Sequence, residues 1–210
     1  RPLPYPNADR IMVLNESSGP GQDFSVALPD YFDWQREAKS FEHLACTHKE
    51  SRNLSGIPGR DPERVSTASV TRNFFDVIGV APEIGRVFSE EEDKPGAPAV
   101  AIISDRVWQR VFNRSPQILG QSITLHDQSF AIIGVMPASF TTAKRSQFWT
   151  PKRLVPSAKG TTMYYRPIAR LKPGVSLQAA RAELAALVKA GEANRWEPDA
   201  RGRVPVMMTL

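Results

Sequence analysis

The sequence predicts an α+β fold in which a split outer unit is interrupted by a smaller inserted α+β unit. A strand–helix–strand pattern covers residues 11–53, and a second one covers residues 163–210. The section between them has its own strands and its own helix. Because the two outer patterns resemble each other and the middle differs from both, we expect the two ends of the chain to form one unit.

The first outer segment opens with a buried strand and an amphipathic helix. Residues 11–14 are a short apolar run, which is typical of a buried strand. Pro29 and Asp30 favour the first turn of a helix, since proline is tolerated there and a carboxylate suits the positive end of the helix dipole. Apolar side chains on one face of this helix are Tyr31, Trp34 and Ala38. Two strands, at 41–53 and 65–70, and a short helix that Thr71 can cap and Gly79 ends are predicted next.

The middle section is characterised by one helix and one hairpin. Ser104 can cap a helix over residues 105–113, preceded by an apolar strand at 99–103. The apolar stripe of this helix consists of Val107, Trp108, Val111 and Phe112. Strands at 123–126 and 130–135 flank a hairpin turn at Asp127-Gln128, which should be a weak turn because glutamine resists positive φ.

The second outer segment contains the most regular helix of the chain. Ser176 can cap it and Gly191 can end it. Its apolar side chains are Leu177, Ala180, Leu184, Leu187 and Val188, and its polar ones are mostly on the other side, namely Gln178, Arg181, Glu183 and Lys189. Strands at 149–154 and 163–171 precede this helix, and a strand at 203–210 follows it.

Composition and motifs argue against several classes of protein. Lysine plus arginine is 27 and aspartate plus glutamate is 22, so the net charge of +5 permits an anionic partner without demanding one. The apolar stretches at 97–103 and 130–140 are about half the length that a membrane-spanning helix needs. The single cysteine, Cys46, excludes an internal disulfide framework, and a buried inert thiol is the favoured interpretation.

No ligand set or catalytic motif appears in the sequence. The histidines, His43, His48 and His126, lack zinc-site spacing, and the acidic run at 90–93 lacks the ordered spacing of a calcium loop and is better explained as a charged turn of helix. A nucleophile elbow, a Ser-x-x-Lys pair and a phosphate-binding loop are also missing. We therefore expect no enzyme activity, no metal and no cofactor. A hydrolase whose triad is scattered along the sequence stays an alternative.

Seven basic residues define a candidate interaction surface. One group interleaves bases with the aromatic residues Phe148 and Trp149, and the other recurs every four residues on the predicted helix at 105–113. The members of this basic candidate surface are Lys144, Arg145, Lys152, Arg153, Arg106, Arg110 and Arg114. A stacking platform beside a row of phosphate contacts would favour a nucleic-acid or anionic-polymer binding module. A solvated helix face beside a core strand explains the same residues, and the modest net charge favours this second explanation.

A series of short motifs covers nearly the whole chain in one order. They are RPLPYPNADR followed by IMVLNE, then LPDYFDW, SFEHLA, PERV, VTRNFFDVIGV, GRVF, VWQRVF, ILGQ, IGVMP, FWTP and ARLKPGV. Taken together they resemble the MacB-like periplasmic core domain of MacB/FtsX-type ABC transporter permeases, especially the large orphan-type permeases. At the hairpin, Asp127-Gln128 departs from the Asp-Gly that such sequences commonly have.

The resemblance implies a porter-like subdomain from residues 1–80 and 141–210, with a smaller subdomain from residues 81–140 inserted in it. It implies a soluble part of a membrane protein, on the periplasmic side of the bacterial inner membrane, that transmits ATP-driven motion. The implied partners are the parent permease's transmembrane helices, its homodimer twin, a separate cytoplasmic ATPase and a periplasmic adaptor or substrate, but no nucleic acid. If both ends return to the membrane, the strands at 11–14 and 203–210 should belong to one sheet.

Overall fold

The computed structural model describes residues 4–19, 23–140, 146–156, 163–191 and 204–209. Two compact units result: an outer unit made of Arg1–Cys46 and Val155–Leu210, and an inserted unit made of Thr47–Leu154. A 3-10 turn at Ala8–Arg10 precedes the first strand. In chain order the elements are β1 (Ile11–Ser17), β2 (Asp23–Phe24), β3 (Val26–Ala27), α1 (Leu28–Glu37), β4 (Phe41–Ser55), β5 (Glu63–Val70), α2 (Phe74–Ile78), β6 (Ile84–Gly85), β7 (Val100–Ser104), α3 (Asp105–Phe112), β8 (Ser122–Leu125), β9 (Gln128–Met136), β10 (Phe148–Pro151), β11 (Tyr164–Leu171), α4 (Leu177–Gly191) and β12 (Val204–Thr209).

The outer unit is a split β-α-β arrangement. Its strands follow the spatial order β12-β1-β11-β4, and β1 runs antiparallel to both β11 and β12. Helix α1 packs against α4, and α4 packs against β12. The buried side chains of the two helices include Tyr31, Trp34, Ala180, Leu184 and Val188. The apolar faces predicted from helical spacing therefore form the core of this unit.

The first and last strands of the chain are neighbours in this sheet, as predicted. Their antiparallel register runs from Met12 opposite Thr209 to Ser17 opposite Val204. The beginning of β1 consequently lies beside the end of β12. The terminal residues Arg1 and Leu210 lie outside the described residues.

Strands of the inserted unit pair in a closed ring. The order of hydrogen-bonded neighbours is β4, β5, β10, β7, β9 and β8, and β8 returns to β4 through Leu54 opposite Leu125. The β5–β10 and β7–β9 pairs are parallel and the other pairs are antiparallel. One buried cluster is formed by Leu54, Val65, Ala101, Ile103, Val107, Trp108, Ile118, Ile123, Leu125, Phe130, Ile132, Val135 and Phe148.

Successive residues of β10 serve two different apolar clusters. Phe148 belongs to the cluster that contains Trp108, whereas Trp149 contacts the rings of Phe140 at 5.2 Å and Phe75 at 6.2 Å between centroids. Alternate side chains of a strand point to opposite faces, so this four-residue strand carries apolar packing on both. The two consecutive aromatic residues of the strand follow from that double burial.

The inserted unit is larger than the 81–140 segment expected from the sequence. Strand β5 and the second half of β4 pair with each other, and β5 also pairs with β10. Leu54 and Val65, which the expected boundary at residue 80 assigned to the outer unit, are buried in the inserted unit's main cluster. The boundaries therefore fall at Cys46 and Leu154, because strand pairing between distant segments and not local composition decides unit membership.

Helix boundaries agree closely with the capping residues, with one exception. Ser104 accepts a hydrogen bond from the backbone N–H of Val107 at 3.3 Å and begins α3, and Ser176 accepts one from Ala179 at 3.1 Å before α4. Thr71 does not cap α2; its hydroxyl donates to the side chain of Asn73 at 2.8 Å. Gly79 ends α2 with φ of 76°, as its position predicts.

The β8–β9 hairpin turns one residue earlier than expected. Leu125 pairs with Gln128, so the two turn residues are His126 and Asp127, with φ of 47° and 63°. Histidine and aspartate enter the left-handed region more readily than most residues, whereas glutamine does not gain the same local hydrogen bonds. Gln128 is therefore the first residue of β9, and the predicted Asp127-Gln128 turn is wrong by one position.

Candidate functional site

The basic candidate surface does not form a row of free charges. Lys144 and Arg145 lie outside the described residues. The guanidinium of Arg110 on α3 pairs with Glu63 at 2.8 Å, and the guanidinium of Arg114, just beyond the end of α3, pairs with Asp105 at 2.7 Å. The hydrogen bond from Arg110 holds the pKa of Glu63 below its ordinary value.

Arg106 on α3 differs from Arg110 and Arg114. Its side chain is exposed, and within the described ranges no ion pair is found for it. Arg114, in contrast, also stacks over the Trp108 ring at 5.1 Å, so that it covers part of the apolar cluster. Neutralised charges weaken the case for a phosphate-binding row on this helix.

The side chain of Arg153 donates hydrogen bonds to backbone carbonyls of the same protein. It donates from Nε to the carbonyl of Glu92 at 3.0 Å and from Nη2 to the carbonyl of Pro98 at 2.6 Å. Its backbone N–H donates to Asp93 at 3.0 Å, and its φ of 53° lies in the left-handed region. The backbone N–H of neighbouring Lys152 donates to Val70 at 2.8 Å. Arg153 therefore fastens the end of β10 to the acidic turn, which is a structural use of its charge.

The acidic turn at 90–93 uses its carboxylates internally. Glu92 accepts two hydrogen bonds from Arg86, both at 2.7 Å, and one from the backbone N–H of Ser89 at 2.8 Å. The bonds from Arg86 outweigh partial burial and lower the pKa of Glu92 from 4.5 to about 2. Asp93 accepts from the backbone N–H of Arg72 at 2.9 Å as well as from Arg153. These contacts engage the carboxylates of Glu92 and Asp93 within the protein.

The conformation of this segment is a hydrogen-bonded turn and not the predicted turn of helix. Ser89 and Glu92 exchange hydrogen bonds in the manner of a capping box, since the Glu92 N–H also donates to the Ser89 hydroxyl at 3.3 Å. Pro95 follows immediately and disfavours a helical conformation in the residue before it. The capping arrangement is therefore present without a helix behind it.

Within the described ranges, no group of three or more histidine, cysteine, aspartate or glutamate side chains is arranged to hold a metal ion. Cys46 is fully buried, in agreement with its interpretation as a core residue. In the same ranges, no helix is long enough and apolar enough to cross a membrane.

A polar cluster that sequence analysis missed lies where β1 begins and β11 ends. Arg10 donates from Nε to the Leu171 carbonyl at 2.8 Å and pairs with Glu42. Buried Arg170 donates to the Pro6 carbonyl at 3.1 Å. Both arginines occur in motifs that carry the family resemblance, PNADR and ARLKPGV, and that is the only sequence signal that points to them.

Helix α4 also uses two residues that its pattern assigned to the polar side. Glu183 accepts from the backbone N–H of Lys39 at 2.8 Å and of Ser40 at 2.9 Å. Arg181 donates to the carbonyl of Met207 in β12 at 2.7 Å. Glu183 therefore joins α4 to the segment just before β4, and Arg181 joins α4 to β12.

The split sheet, the adjacent terminal strands and the inserted ring of strands make up a fold that is shared with solved domains of permease and transporter proteins. The solved periplasmic region of MacB from Actinobacillus actinomycetemcomitans is 14% identical with a TM-score of 0.70, and the match covers 96% of this chain and 89% of that one. A domain of a putative permease protein from Porphyromonas gingivalis is 16% identical with a TM-score of 0.68, covering 98% and 93%. The extracellular domain of the noncanonic ABC-type transporter YknZ from Gram-positive bacteria is 15% identical with a TM-score of 0.65, covering 94% and 99%.

The sequence itself matches the MacB-like periplasmic core domain over residues 2–187, and the chain belongs to that family. Comparison with curated protein sequences gives no match. The predicted family, its α+β fold and its periplasmic location are thereby confirmed. The family is a domain of transporter permeases and not a class of enzymes.

Proposed function

We propose that this domain transmits ATP-driven motion of a permease to the periplasm, where it contacts an adaptor or a substrate. The observation that carries the proposal is the pairing of the first and last strands, with Met12 opposite Thr209. A force applied at both ends of the chain enters one hydrogen-bonded element, so that the outer unit responds as a body. Neighbouring strands lie about 4.8 Å apart, which suits attachment to two adjacent membrane helices.

The proposed partners are the permease's own membrane helices, its twin in a dimer, and a separate ATPase on the cytoplasmic side. Within the basic candidate surface, exposed Arg106 is best suited to contact an adaptor or a substrate. Arg110, Arg114 and Arg153 are engaged in contacts with the protein itself. Their engagement argues against the nucleic-acid alternative, because charges already paired within the protein are less available to phosphates.

A distance measurement on the full-length permease with its ATPase tests the proposal. Gln178 is exposed on α4 of the outer unit, and the native Cys46 is buried, so Gln178→Cys adds one accessible thiol to the domain for a spin label. We expect the distance between labels in the two copies to change when ATP and vanadate replace the nucleotide-free state. An unchanged distance in the unmodified permease would overturn the proposal.

Flexible linkers then test whether the motion reaches the domain through its terminal strands. Gly/Ser linkers of about ten residues, inserted before Pro4 and after Thr209, should abolish the distance change while ATP hydrolysis continues. A matched linker after Gly59, an exposed turn residue with open space around it, should leave the distance change intact. A distance change that survives both terminal linkers would contradict transmission through the terminal strands.

A further inference from the structure

Two sequence motifs from opposite ends of the chain meet at one edge of the outer unit. The motif PNADR contributes the segment that leads into β1, and the motif ARLKPGV contributes the end of β11. The register places Ile11 opposite Arg170, so the arginine that precedes β1 and the arginine near the end of β11 lie side by side. The proposed function does not by itself explain why two cations are placed together here.

Arg170 holds the incoming chain by its backbone. Its side chain is buried, with only 6% of the residue exposed, and Nη1 donates to the carbonyls of Pro6 at 3.1 Å and Asn7 at 3.5 Å. Burial lowers the pKa of Arg170, and the neighbouring charge of Arg10 acts in the same direction. A guanidinium presents several N–H donors in a fixed plane, which a lysine cannot do.

Arg10 makes the reciprocal contact. Its guanidinium donates from Nε to the carbonyl of Leu171 at 2.8 Å and forms an ion pair with Glu42, near the start of β4. The backbone N–H of Lys172 donates in turn to Ser40 at 2.9 Å. Each arginine thus bonds to the main chain of the segment that carries the other, and Glu42 ties the pair to a third strand.

The segment held in this way lies outside the β1 ladder, which begins at Ile11. Tyr5 is buried, Asn7 has a left-handed φ of 48°, and residues 8–10 form a 3-10 turn. A single such turn provides little resistance to bending compared with paired strands. The two arginines supply the fixation that the backbone of this segment does not.

We infer that Arg10, Glu42 and Arg170 form an entry clamp, whose positioning role is to make residues 4–10 move as one body with β11 and β4. The inference rests on the proposed function, because the clamp matters only if motion arrives through this segment. Without the clamp, residues 4–10 would bend at the 3-10 turn and absorb displacement before it reached β1. The clamp is therefore a coupling element as well as a stabilising contact.

The test uses the full-length permease with its ATPase, labelled at Gln178→Cys as above, in three variants. Arg170→Gln and Arg10→Gln remove the guanidinium groups from the clamp. Arg36→Gln is the control, because Arg36 lies on α1 of the same unit and pairs only with Asp33 and Glu37 of its own helix in the described residues. ATP hydrolysis, the ATP-dependent distance change and hydrogen exchange of a peptide covering residues 4–14 are measured for each.

We expect hydrogen exchange in residues 4–14 to accelerate about tenfold or more in Arg170→Gln, because buried charge-assisted hydrogen bonds are lost. The ratio of the ATP-dependent distance change to the rate of ATP hydrolysis should fall at least about threefold in Arg170→Gln. In Arg36→Gln this ratio should stay the same as in the parent permease. Arg170→Lys, which keeps the charge without the planar donors, should show the same uncoupling. A merely structural role would lower protein yield without changing the ratio of motion to hydrolysis.

Failure of the inference can be distinguished from failure of the proposed function. The labelled permease with an intact clamp should show the distance change. If Arg170→Gln and Arg10→Gln retain the full amplitude of this change despite faster hydrogen exchange, the clamp does not couple motion. If Arg170→Gln does not fold, the partly exposed Arg10→Gln decides the question with the same measurements. If the unmodified permease shows no distance change, the proposed function fails first.

Discussion

The outer and inserted units achieve their cohesion by different means. The inserted unit is one continuous segment, Thr47–Leu154, whose strands close into a ring around a large apolar cluster. The outer unit is assembled from two segments that are distant in sequence. Besides its strand ladders and its helix packing, it uses charged side chains that bond to the main chain of the other segment, namely Arg10, Arg170 and Glu183.

This contrast suggests different sensitivities to substitution. Apolar burial is roughly proportional to area and is shared among many side chains, so a large loss requires the removal of a large group. A charged side chain that satisfies buried backbone groups acts alone, and its removal leaves those groups without a partner. The core of the inserted unit should therefore depend on bulk, whereas the joining of the two outer segments should also depend on individual polar side chains.

Trp108→Ala should produce the largest effect and tests the apolar side of this comparison. Trp108 is 8% exposed, belongs to the main cluster and donates from Nε1 to the Ser115 carbonyl at 2.9 Å. Removing an aromatic side chain from a core costs about 3–5 kcal/mol, and denaturant unfolding of the purified domain should show a loss of that size. Val111→Ala, at the half-buried margin of the same helix, is the control and should cost clearly less. A loss below about 1 kcal/mol for Trp108→Ala would contradict the burial of this face.

Glu183→Ala should have an intermediate effect and tests the polar side. The substitution leaves the backbone N–H groups of Lys39 and Ser40 without their acceptor, at a cost of about 1–3 kcal/mol in the free energy of unfolding. Glu37→Ala removes a carboxylate from an exposed pair with Arg36, and such pairs contribute about 0–1 kcal/mol. Equal losses in the two variants would show that the outer unit does not depend on its buried polar contacts.

Acidification should give the smallest change, because the side chain of Arg86, the partner of Glu92, is 56% exposed and solvent weakens their interaction. This polar contact lies inside the inserted unit. Hydrogen bonds from Arg86 lower the pKa of Glu92 from 4.5 to about 2 in the folded protein. The folded state thus binds the proton less readily than the unfolded chain, so this stabilisation is present above pH 4.5 and declines as the pH falls toward 2. Unfolding midpoints measured between these two pH values should fall more steeply for the native protein than for Glu92→Gln. Parallel curves for the two proteins would exclude Glu92 as the titrating group.

Much of the secondary structure follows from local sequence, and much of the site does not. Ser104 and Ser176 cap their helices as predicted, and the apolar stripe with Trp108 is buried as predicted. The roles of Arg153 and Glu183 escaped prediction, because a charged residue on a helix face or after a strand has the same local pattern whether it is solvated or bonded to a distant backbone group. The shared position of Arg10 and Arg170 likewise depends on strand register.

By itself the sequence determined the α+β class, the family, the helix limits and the pairing expected between the first and last strands. Capping and helical periodicity depend on residues that are only a few positions apart, and the family is recognised from the order of its short motifs. Only the tertiary structure decided the limits at Cys46 and Leu154, the closed ring of strands, the one-residue shift of the hairpin turn and the convergence of three motifs on the entry clamp. The physical reason is that hydrogen bonds between segments far apart in sequence select among pairings that local preferences leave nearly equal in energy.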